Sequence, residues 1–303
     1  MSNEYLIAID AGGSKCHAAL FEKGSNKLLA EYKTGAANLA TDFSQAISHI
    51  EQACIHVLKA CNLPLTELKH IQAYAGLAGV NYPQVAHQLS QWQHPFAEFY
   101  FTTDLHFACY AAHQDKKGNA LIVGTGSCGI AITENETHLL GGYGHKLGDQ
   151  ASAAWLGLLA LQHTLLVLDK LEPDSILADK ICQFSQINNA AELSQYWHNA
   201  RPNQFGELAR FICEAAQQND LAALSIIEQA VDYLAKLIRQ LMQIQASSIC
   251  ILGGLSQSLM KYLPAELKPY LAEAKQTQPV YGGLILAQFP ELALNALQVD
   301  SIR

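Results

Sequence analysis

The sequence has few charged side chains, and basic ones are the scarcer kind. Only 15% of its 303 residues are charged, and 19 Lys and Arg face 27 Asp and Glu, which gives a formal net charge of −8. Such a chain repels nucleic-acid phosphates and anionic lipid unless basic residues cluster locally. No run of Lys or Arg provides a cluster. We therefore expect partners that are neither nucleic acids nor membranes.

Paired metal-ligand motifs are also missing. The eight cysteines never occur as CxxC, and no two of the 12 histidines are spaced as HxxxH. A zinc site or a disulfide framework normally shows such spacing, so neither is expected. The cysteines are best explained as free thiols in a reducing cytoplasm.

Long apolar runs are absent as well. The first apolar run, Tyr5 to Ile9, is interrupted by Asp10, which disfavours a secretory signal. The longest uncharged stretch, residues 151–168, reaches 18 residues but contains Ser152 and His163. It therefore predicts a buried helix rather than a membrane span.

What is present is an alternation of short apolar runs and helical patterns. Three short runs, residues 5–9, 16–21 and 27–32, predict adjacent strands. Thr41-Asp42 then caps a predicted helix that reaches about Cys61. Later runs at residues 71–75 and 99–102 each lead into a further predicted helix. Strands that alternate with helices after adjacent strands indicate an α/β protein with a mixed sheet.

The second half of the chain repeats this opening. Gly13, Ser14 and Ala18 match Gly126, Ser127 and Ala131 at one offset of 113 residues, within the same order of strand, glycine loop and strand. This pattern favours a duplicated domain. We predict an N-terminal domain over residues 1–117 and a C-terminal domain over 118–303 that carries added helices. The last helix, about residues 281–289, is a candidate to return to the N-terminal domain.

Two glycine loops are candidates for phosphate binding. Gly124 to Gly129 satisfies GxGxxG, but a strand follows it where a dinucleotide-binding unit has a helix. Gly12 to Lys15 lacks the Walker A spacing. Two hairpin turns that expose backbone N–H groups could instead hold a polyphosphate, with Asp10 placed to hold magnesium. The alternative is that these glycines only make tight turns.

Two aspartates have two interpretations each. Asp104 follows a predicted strand and precedes a helix predicted from Leu105, so it is either an N-cap or a general base at the carboxyl end of a strand. Asp149 ends a loop with four glycines before a helix predicted from about Ala151, and is again a cap or a ligand-side residue.

Together these motifs resemble the sugar kinase, Hsp70 and actin ATPase superfamily. Thr102-Thr-Asp104, the Gly124 loop and the segment from Gly141 to Asp149 are similar to the N-acetylglucosamine and glucosamine kinase branch, grouped with the BadF/BadG/BcrA/BcrD ATPases. The similarity runs from Leu6 to about Ala287. It implies two ribonuclease H-like domains that close over ATP and sugar in a cleft.

The resemblance also implies roles for individual residues on the nucleotide side. Asp10 corresponds to the magnesium-associated aspartate, directly or through water. The first phosphate loop corresponds to Gly12, Gly13, Ser14 and Lys15, and the second to Gly124, Thr125, Gly126 and Ser127. Gly253 and Gly254 correspond to the adenosine motif.

On the sugar side, Asp104 corresponds to the catalytic base that deprotonates the sugar 6-hydroxyl. The residues that correspond to sugar contacts are Asn38, Asp104, Tyr143, Gly144 and Asp149. The expected activity is ATP-dependent phosphorylation of N-acetylglucosamine at its 6-hydroxyl, with Mg²⁺.

The sequence departs from the family pattern in ways that leave the acceptor open. Ala11 replaces a usual glycine, Ser14 a common threonine and Tyr143 a frequent tryptophan. The segment from Tyr143 to Asp149 resembles kinases of acetylated sugars, whereas Cys128 after the second loop resembles glucosamine kinases. Both acceptors remain candidates.

Two further classes were weighed. An ATP-driven activator of a dehydratase needs cysteines that hold an iron–sulfur cluster, and the scattered cysteines mark no such site. A transcriptional sugar sensor carries an added DNA-binding module, for which a first strand at about Tyr5 leaves no room. The sequence does not decide whether the protein is a homodimer.

Overall fold

The computed structural model describes residues 4–294, so the predicted domain ends at 1–3 and 295–303 lie outside the described residues. The described chain is an α/β protein with two five-stranded sheets. Its strands are β1 (Tyr5–Ala11), β2 (Cys16–Glu22), β3 (Lys27–Thr34), β4 (Gln72–Leu77), β5 (Glu98–Thr103), β6 (Gly118–Val123), β7 (Ser127–Ile132), β8 (Thr137–Gly141), β9 (Ile249–Leu252) and β10 (Leu271–Ala272).

The helices lie between and after these strands. They are α1 (Phe43–Ala60), α2 (Pro83–Ser90), α3 (Asp104–His113), α4 (Ala153–Leu168), α5 (Ile176–Ser185), α6 (Ala190–Trp197), α7 (Pro202–Glu207), α8 (Ala209–Gln217), α9 (Leu221–Ile244), α10 (Ser256–Met260) and α11 (Gly282–Gln288). In residues 4–294, no helix is both long and apolar enough to cross a membrane.

The first sheet confirms the predicted mixed architecture. Its order is β3-β2-β1-β4-β5, with β1–β2 and β2–β3 antiparallel and β1–β4 and β4–β5 parallel. Because side chains alternate across a strand, Ile7 and Ile9 pack into one core with α1, while Leu6 and Ala8 pack into another with α3 and α11. Both faces of the sheet are therefore covered.

The second sheet has the same strand order. Its order is β10-β9-β6-β7-β8, so in each sheet the first three strands lie in reverse chain order and the fourth and fifth lie beyond the first. A duplicated domain predicts this shared order. The fifth strand, β10, has two residues and gives no sequence pattern that could reveal it.

The described chain divides into two compact units. The first comprises residues 4–120, Ile130–Leu139 and 273–294, and the second comprises Leu121–Gly129 and Leu140–Ala272. The three strands β6, β7 and β8 contribute residues to both units.

The helix signals in the sequence correspond to real helix starts. Asp42 is the N-cap of α1 and its side chain accepts a hydrogen bond from the backbone N–H of Gln45 at 3.0 Å. Along α9, the apolar stripe packs inward through Val231, Leu234 and Ile238, all buried. The predicted cap and stripe are thus confirmed.

Small residues open the last helix because α11 lies very close to its neighbours. A Cβ atom at Gly282 would lie 2.1 Å from the carbonyl oxygen of Phe107, and one at Gly283 would lie 2.5 Å from the Cβ of Ala8. No larger side chain fits against α3 and β1 at these positions.

Candidate active site

Asp10 is a buried carboxyl near the end of β1. Only 8% of its surface is exposed, because β1 is paired with β2 on one side and β4 on the other. Burial raises the pKa of Asp10 to about 7, the charge of Asp104 raises it further, and the charge of Lys15 opposes both. A buried carboxylate of this kind is stabilised by a nearby cation.

The first glycine loop is a tight turn with an open side. The backbone N–H of Gly12 donates to the carbonyl of Lys15 at 2.9 Å, which closes the turn between β1 and β2. A Cβ atom at Gly13 would have nothing within 4 Å. Packing therefore does not demand glycine at Gly13, and the open side leaves room for a ligand.

Asn38 lies beside this loop in the first unit. The backbone N–H of Ala37 donates to Gly12 at 2.9 Å, and that of Leu39 donates to Ala78 at 3.0 Å. The Oδ1 of Asn38 accepts from the backbone N–H of Ala40 at 2.9 Å. This leaves the side-chain amide nitrogen of Asn38 as its donor group for other partners.

Gly79 is a residue of this region that the sequence analysis missed. It has φ +83°, and a Cβ atom there would lie 2.7 Å from the Oδ1 of Asn38. Only glycine fits that conformation and that space without strain. The signal in the sequence was a glycine two residues beyond a buried strand.

Asp104 is the first residue of α3, and the capping alternative for it is wrong. The N-cap is Thr103, whose Oγ1 accepts from the backbone N–H of His106 at 3.3 Å. Burial raises the pKa of Asp104 to about 6, against the lowering effect of the backbone N–H of Leu105. A carboxyl with this pKa is ionised at neutral pH and is still a useful proton acceptor.

His106 also was not singled out from the sequence. Its Nδ1 lies 2.8 Å from the Oγ1 of Thr103, and its Nε2 lies 3.3 Å from the Oγ1 of Thr137. Burial lowers the pKa of His106 to about 4, so the ring is neutral at pH 7. It ties the cap before Asp104 to strand β8, a link between positions 31 residues apart that no local pattern indicates.

The second glycine loop is held by the start of α4. The N–H of Ala153 donates to the carbonyl of Gly124 at 2.8 Å, and that of Ala154 donates to Thr125 at 3.3 Å. Ser127 is already the first residue of β7, and its buried hydroxyl donates to the carbonyl of Gln150. A Cβ atom at Gly124 would meet nothing within 4 Å, so this loop also has an open side.

Asp149 joins the second glycine loop to the loop of residues 141–149. Its Oδ1 accepts from the N–H of Gly144 at 3.2 Å, and its Oδ2 lies 2.9 Å from where a Cβ of Gly126 would be. The cap of α4 is Ser152, so the capping alternative for Asp149 is wrong. Burial raises the pKa of Asp149, opposed first by the Gly144 N–H and then by the charge of His145.

The loop of residues 141–149 owes part of its glycine content to backbone geometry. Gly141, Gly142 and Gly144 have φ values of +77°, +75° and +83°. Tyr143 between them is largely exposed. The hydroxyl of Tyr233, which the sequence analysis missed, lies 2.8 Å from where a Cβ of Gly141 would be.

The Gly253-Gly254 turn lies against the second glycine loop. Gly253 has φ +101°, and a Cβ atom there would lie 2.3 Å from the carbonyl oxygen of Val123 and 3.1 Å from the backbone nitrogen of Gly124. A Cβ atom at Gly254 would meet nothing. Close backbone approach therefore explains the first glycine but not the second.

Each unit thus assembles its own part of the candidate site. The first unit holds Asp10, the 12–15 loop, Asn38 and Asp104, and the second holds the 124–127, 141–149 and 253–254 loops. Within residues 4–294, no group of three or more His, Cys, Asp and Glu side chains is placed to hold a metal ion. Two buried carboxyls beside open glycine loops are hard oxygen donors, which suit Mg²⁺ shared with phosphate oxygens.

Two sheets of one strand order, each followed by a glycine loop between its first two strands, define an α/β protein with the actin-like ATPase fold of the sugar kinase superfamily. The family model of the BadF/BadG/BcrA/BcrD ATPases matches residues 7–287, and the chain belongs to this family.

Three relatives resemble the chain over nearly its whole length. A glucosamine kinase, GspK, from Vibrio cholerae is 26% identical over 95% of this chain and 97% of its own. An N-acetylmuramic acid/N-acetylglucosamine kinase from Clostridium acetobutylicum is 24% identical over 88% of this chain and 90% of its own. The solved structure of a Chromobacterium violaceum protein, provisionally described as an N-acetylglucosamine kinase, has a TM-score of 0.87 at 27% identity, covering 93% and 98% of the two chains.

Proposed function

We propose that this protein is a cytoplasmic, ATP-dependent amino-sugar kinase that transfers the γ-phosphoryl group of ATP to the 6-hydroxyl of N-acetylglucosamine. The observation that carries the proposal is Asp104. It begins α3 without acting as its cap, and burial holds its pKa near 6. Membership in an ATPase family and the amino-sugar kinases among its relatives support the same function.

Asp104 is proposed as the general base. At pH 7 its carboxylate accepts the proton of the sugar 6-hydroxyl as that oxygen bonds to the γ-phosphorus. The bond from the γ-phosphorus to the bridging oxygen breaks, and ADP leaves with that electron pair. The products are ADP and sugar 6-phosphate, with the proton on Asp104 until it passes to water.

The glycine loops are proposed to hold ATP. Backbone N–H groups of residues 12–15 and 124–127 would bind phosphate oxygens, and Gly253 and Gly254 would allow the adenosine to lie close to the backbone. Asp10 would hold Mg²⁺ directly or through water. The ion supplies charge neutralisation for the transferred phosphate, taking most of its ligands from phosphate oxygens and water.

The sugar is proposed to contact Asn38 through its side-chain amide and to contact Tyr143, Gly144 and Asp149. Tyr143 offers an exposed aromatic ring that can pack on the apolar face of a hexose. The buried carboxylate of Asp149 can accept a hydrogen bond from a sugar hydroxyl.

Glucosamine is the second candidate acceptor. The observation in its favour is the Vibrio cholerae relative, which is a glucosamine kinase, together with Cys128 after the second loop. The two acceptors differ by one acetyl group, so pocket shape decides between them.

The test is Mg²⁺-dependent ADP release from ATP with N-acetylglucosamine, glucosamine and glucose offered separately, alongside a control without sugar. Turnover that requires one of the amino sugars would support the proposal and name the acceptor. Equal ADP release without any sugar, or none with all three, would contradict it.

A further inference from the structure

A pocket of about 480 Å³ lies entirely within the second unit, among α4, α6, α7 and the loop of residues 141–149. Its volume falls within the range of about 300–1,000 Å³ that small-molecule sites occupy. The residues assigned above to ATP and to the acceptor sugar do not line it. It is therefore a feature that the proposed kinase mechanism does not use.

The inner wall of this pocket is apolar and partly aromatic. Leu158, Leu161 and Leu165 present one face of α4, since they are spaced three, four and seven residues apart. Leu193 of α6 adds to this wall and is fully buried. Water gains little at such a wall, so an apolar group that displaces it binds favourably.

Three rings stand in a row along the same wall. The ring centroids of His145 and Phe205 are 5.8 Å apart, as are those of Phe205 and Trp197. Each ring lies tilted by about a third of a right angle to the next. A flat apolar body can pack along such a row of rings.

The rim of the pocket is polar and carries positive but no negative charge. Lys146 is exposed there, beside the half-buried His145 and the exposed side chains of Gln162 and Ser194. Among the described residues that line the pocket, none is Asp or Glu. In a chain of net charge −8 this makes the rim locally favourable for an anion.

We propose that this pocket is a second binding site, for a small organic anion with an apolar or aromatic body. The body packs on the wall of leucine side chains and rings, and the carboxylate, sulfonate or phosphate group lies at the rim beside Lys146. Lys146 acts there as a flexible point charge, with Gln162 and Ser194 as hydrogen-bond donors. The site is independent of kinase activity, so its test does not depend on the proposed function.

The probe is 8-anilinonaphthalene-1-sulfonate, an aromatic anion that fluoresces in apolar surroundings. The full chain is titrated with the probe in saturating ADP and Mg²⁺, which occupy the proposed nucleotide residues. Saturable binding of one probe per chain, with quenching of tryptophan fluorescence because Trp197 lines the pocket, is expected. Absence of saturable binding would overturn the proposal.

Matched variants locate the probe. Lys146→Glu reverses the charge at the rim and is expected to raise the Kd at least fivefold, whereas Lys170→Glu makes the same net-charge change at an exposed site outside the pocket and is expected to change it less than twofold. Ser194→Phe fills the rim, and Gln195→Phe is its exposed neighbour outside the pocket. Equal effects within either pair would overturn the assignment to this pocket.

A neutral analogue tests the anionic half of the proposal. N-phenyl-1-naphthylamine has the same aromatic body without the sulfonate, and it is expected to bind at least fivefold more weakly and to be insensitive to Lys146→Glu. Equal affinity for the two probes would contradict an anion site. Circular dichroism of each variant, which should match that of the wild type, separates lost binding from lost folding.

Discussion

The charge of Asp104 raises the pKa of Asp10, although the two residues are 94 positions apart in the chain. Strands β1, β4 and β5 are parallel neighbours, so their carboxyl ends meet at one edge of the first sheet. Asp10 lies near the end of β1, and Asp104 follows β5 directly. Ligands bind at this edge in open α/β sheets, which makes the pair the centre of the candidate site.

We expect activity to rise with pH through the neutral range. Asp104, with a pKa near 6, must be ionised to accept a proton, and Asp10, with a pKa near 7, must be ionised to hold Mg²⁺. The value of kcat/KM, measured from pH 5 to 9 at fixed free Mg²⁺, should therefore increase until above about pH 7. A flat profile between pH 5 and 7 would contradict this assignment.

The raised pKa of Asp10 also predicts how stability depends on pH. Between its ordinary pKa of 3.8 and about 7, the folded protein binds a proton here that the unfolded chain does not. This group's contribution to stability therefore falls as pH rises through that range. Without ligands, Asp10→Asn should raise the Tm at pH 8 by about 2–4 °C, the shift that roughly 1 kcal/mol gives in a chain of this size.

The matched measurement is the Tm of the same two proteins at pH 4, where Asp10 is protonated in both the folded and much of the unfolded population. The difference should shrink there. An Asn variant that is less stable than the wild type at pH 8 and unchanged at pH 4 would show that the buried charge is not the unfavourable feature it is taken to be.

Thr102 and Thr103 form a natural matched pair. The hydroxyl of Thr103 caps α3, whereas that of Thr102 is buried without a hydrogen-bond partner. Thr103→Val, which keeps the shape of the side chain, should cost about 1 kcal/mol and lower kcat/KM because the cap positions Asp104. Thr102→Val should leave stability unchanged or increase it. Urea unfolding of both variants measures the contrast, and equal losses would argue against it.

Gly253 and Gly254 give a second matched pair. Gly253→Ala forces a side chain into a left-handed backbone and against the carbonyl of Val123, so it should cost about 2 kcal/mol and weaken ADP binding. At Gly254 the space is open, so Gly254→Ala should leave the Tm within about 1 °C of the wild type. Differential scanning calorimetry with and without ADP separates the two effects, and similar Tm values for both variants would contradict the packing described.

Local signals in the sequence were sufficient for much of the fold. Asp42 as a cap, the stripe of α9 and the strand from Ile249 to Leu252 all follow from short-range patterns and are confirmed. The shared strand order of the two sheets fits the repeat at an offset of 113 residues.

The site was less predictable because its contacts are non-local or chemically degenerate. Thr103 and Asp104 can both cap a helix, and only the structure shows that the hydroxyl does so. The same holds for Asp149 and Ser152 before α4. His106 reaches Thr137 from 31 positions away, a contact that depends on how strands and helices pack.

The most direct test of the central claim is the structure of the product. After reaction of N-acetylglucosamine with ATP and Mg²⁺, phosphorus–proton correlation spectroscopy should show the new phosphorus coupled to the two protons on C6, and Asp104→Asn should reduce its formation at least about 100-fold, the size expected for loss of a general base. A phosphorus coupled to the anomeric proton, inorganic phosphate as the only product, or undiminished formation by Asp104→Asn would contradict the account.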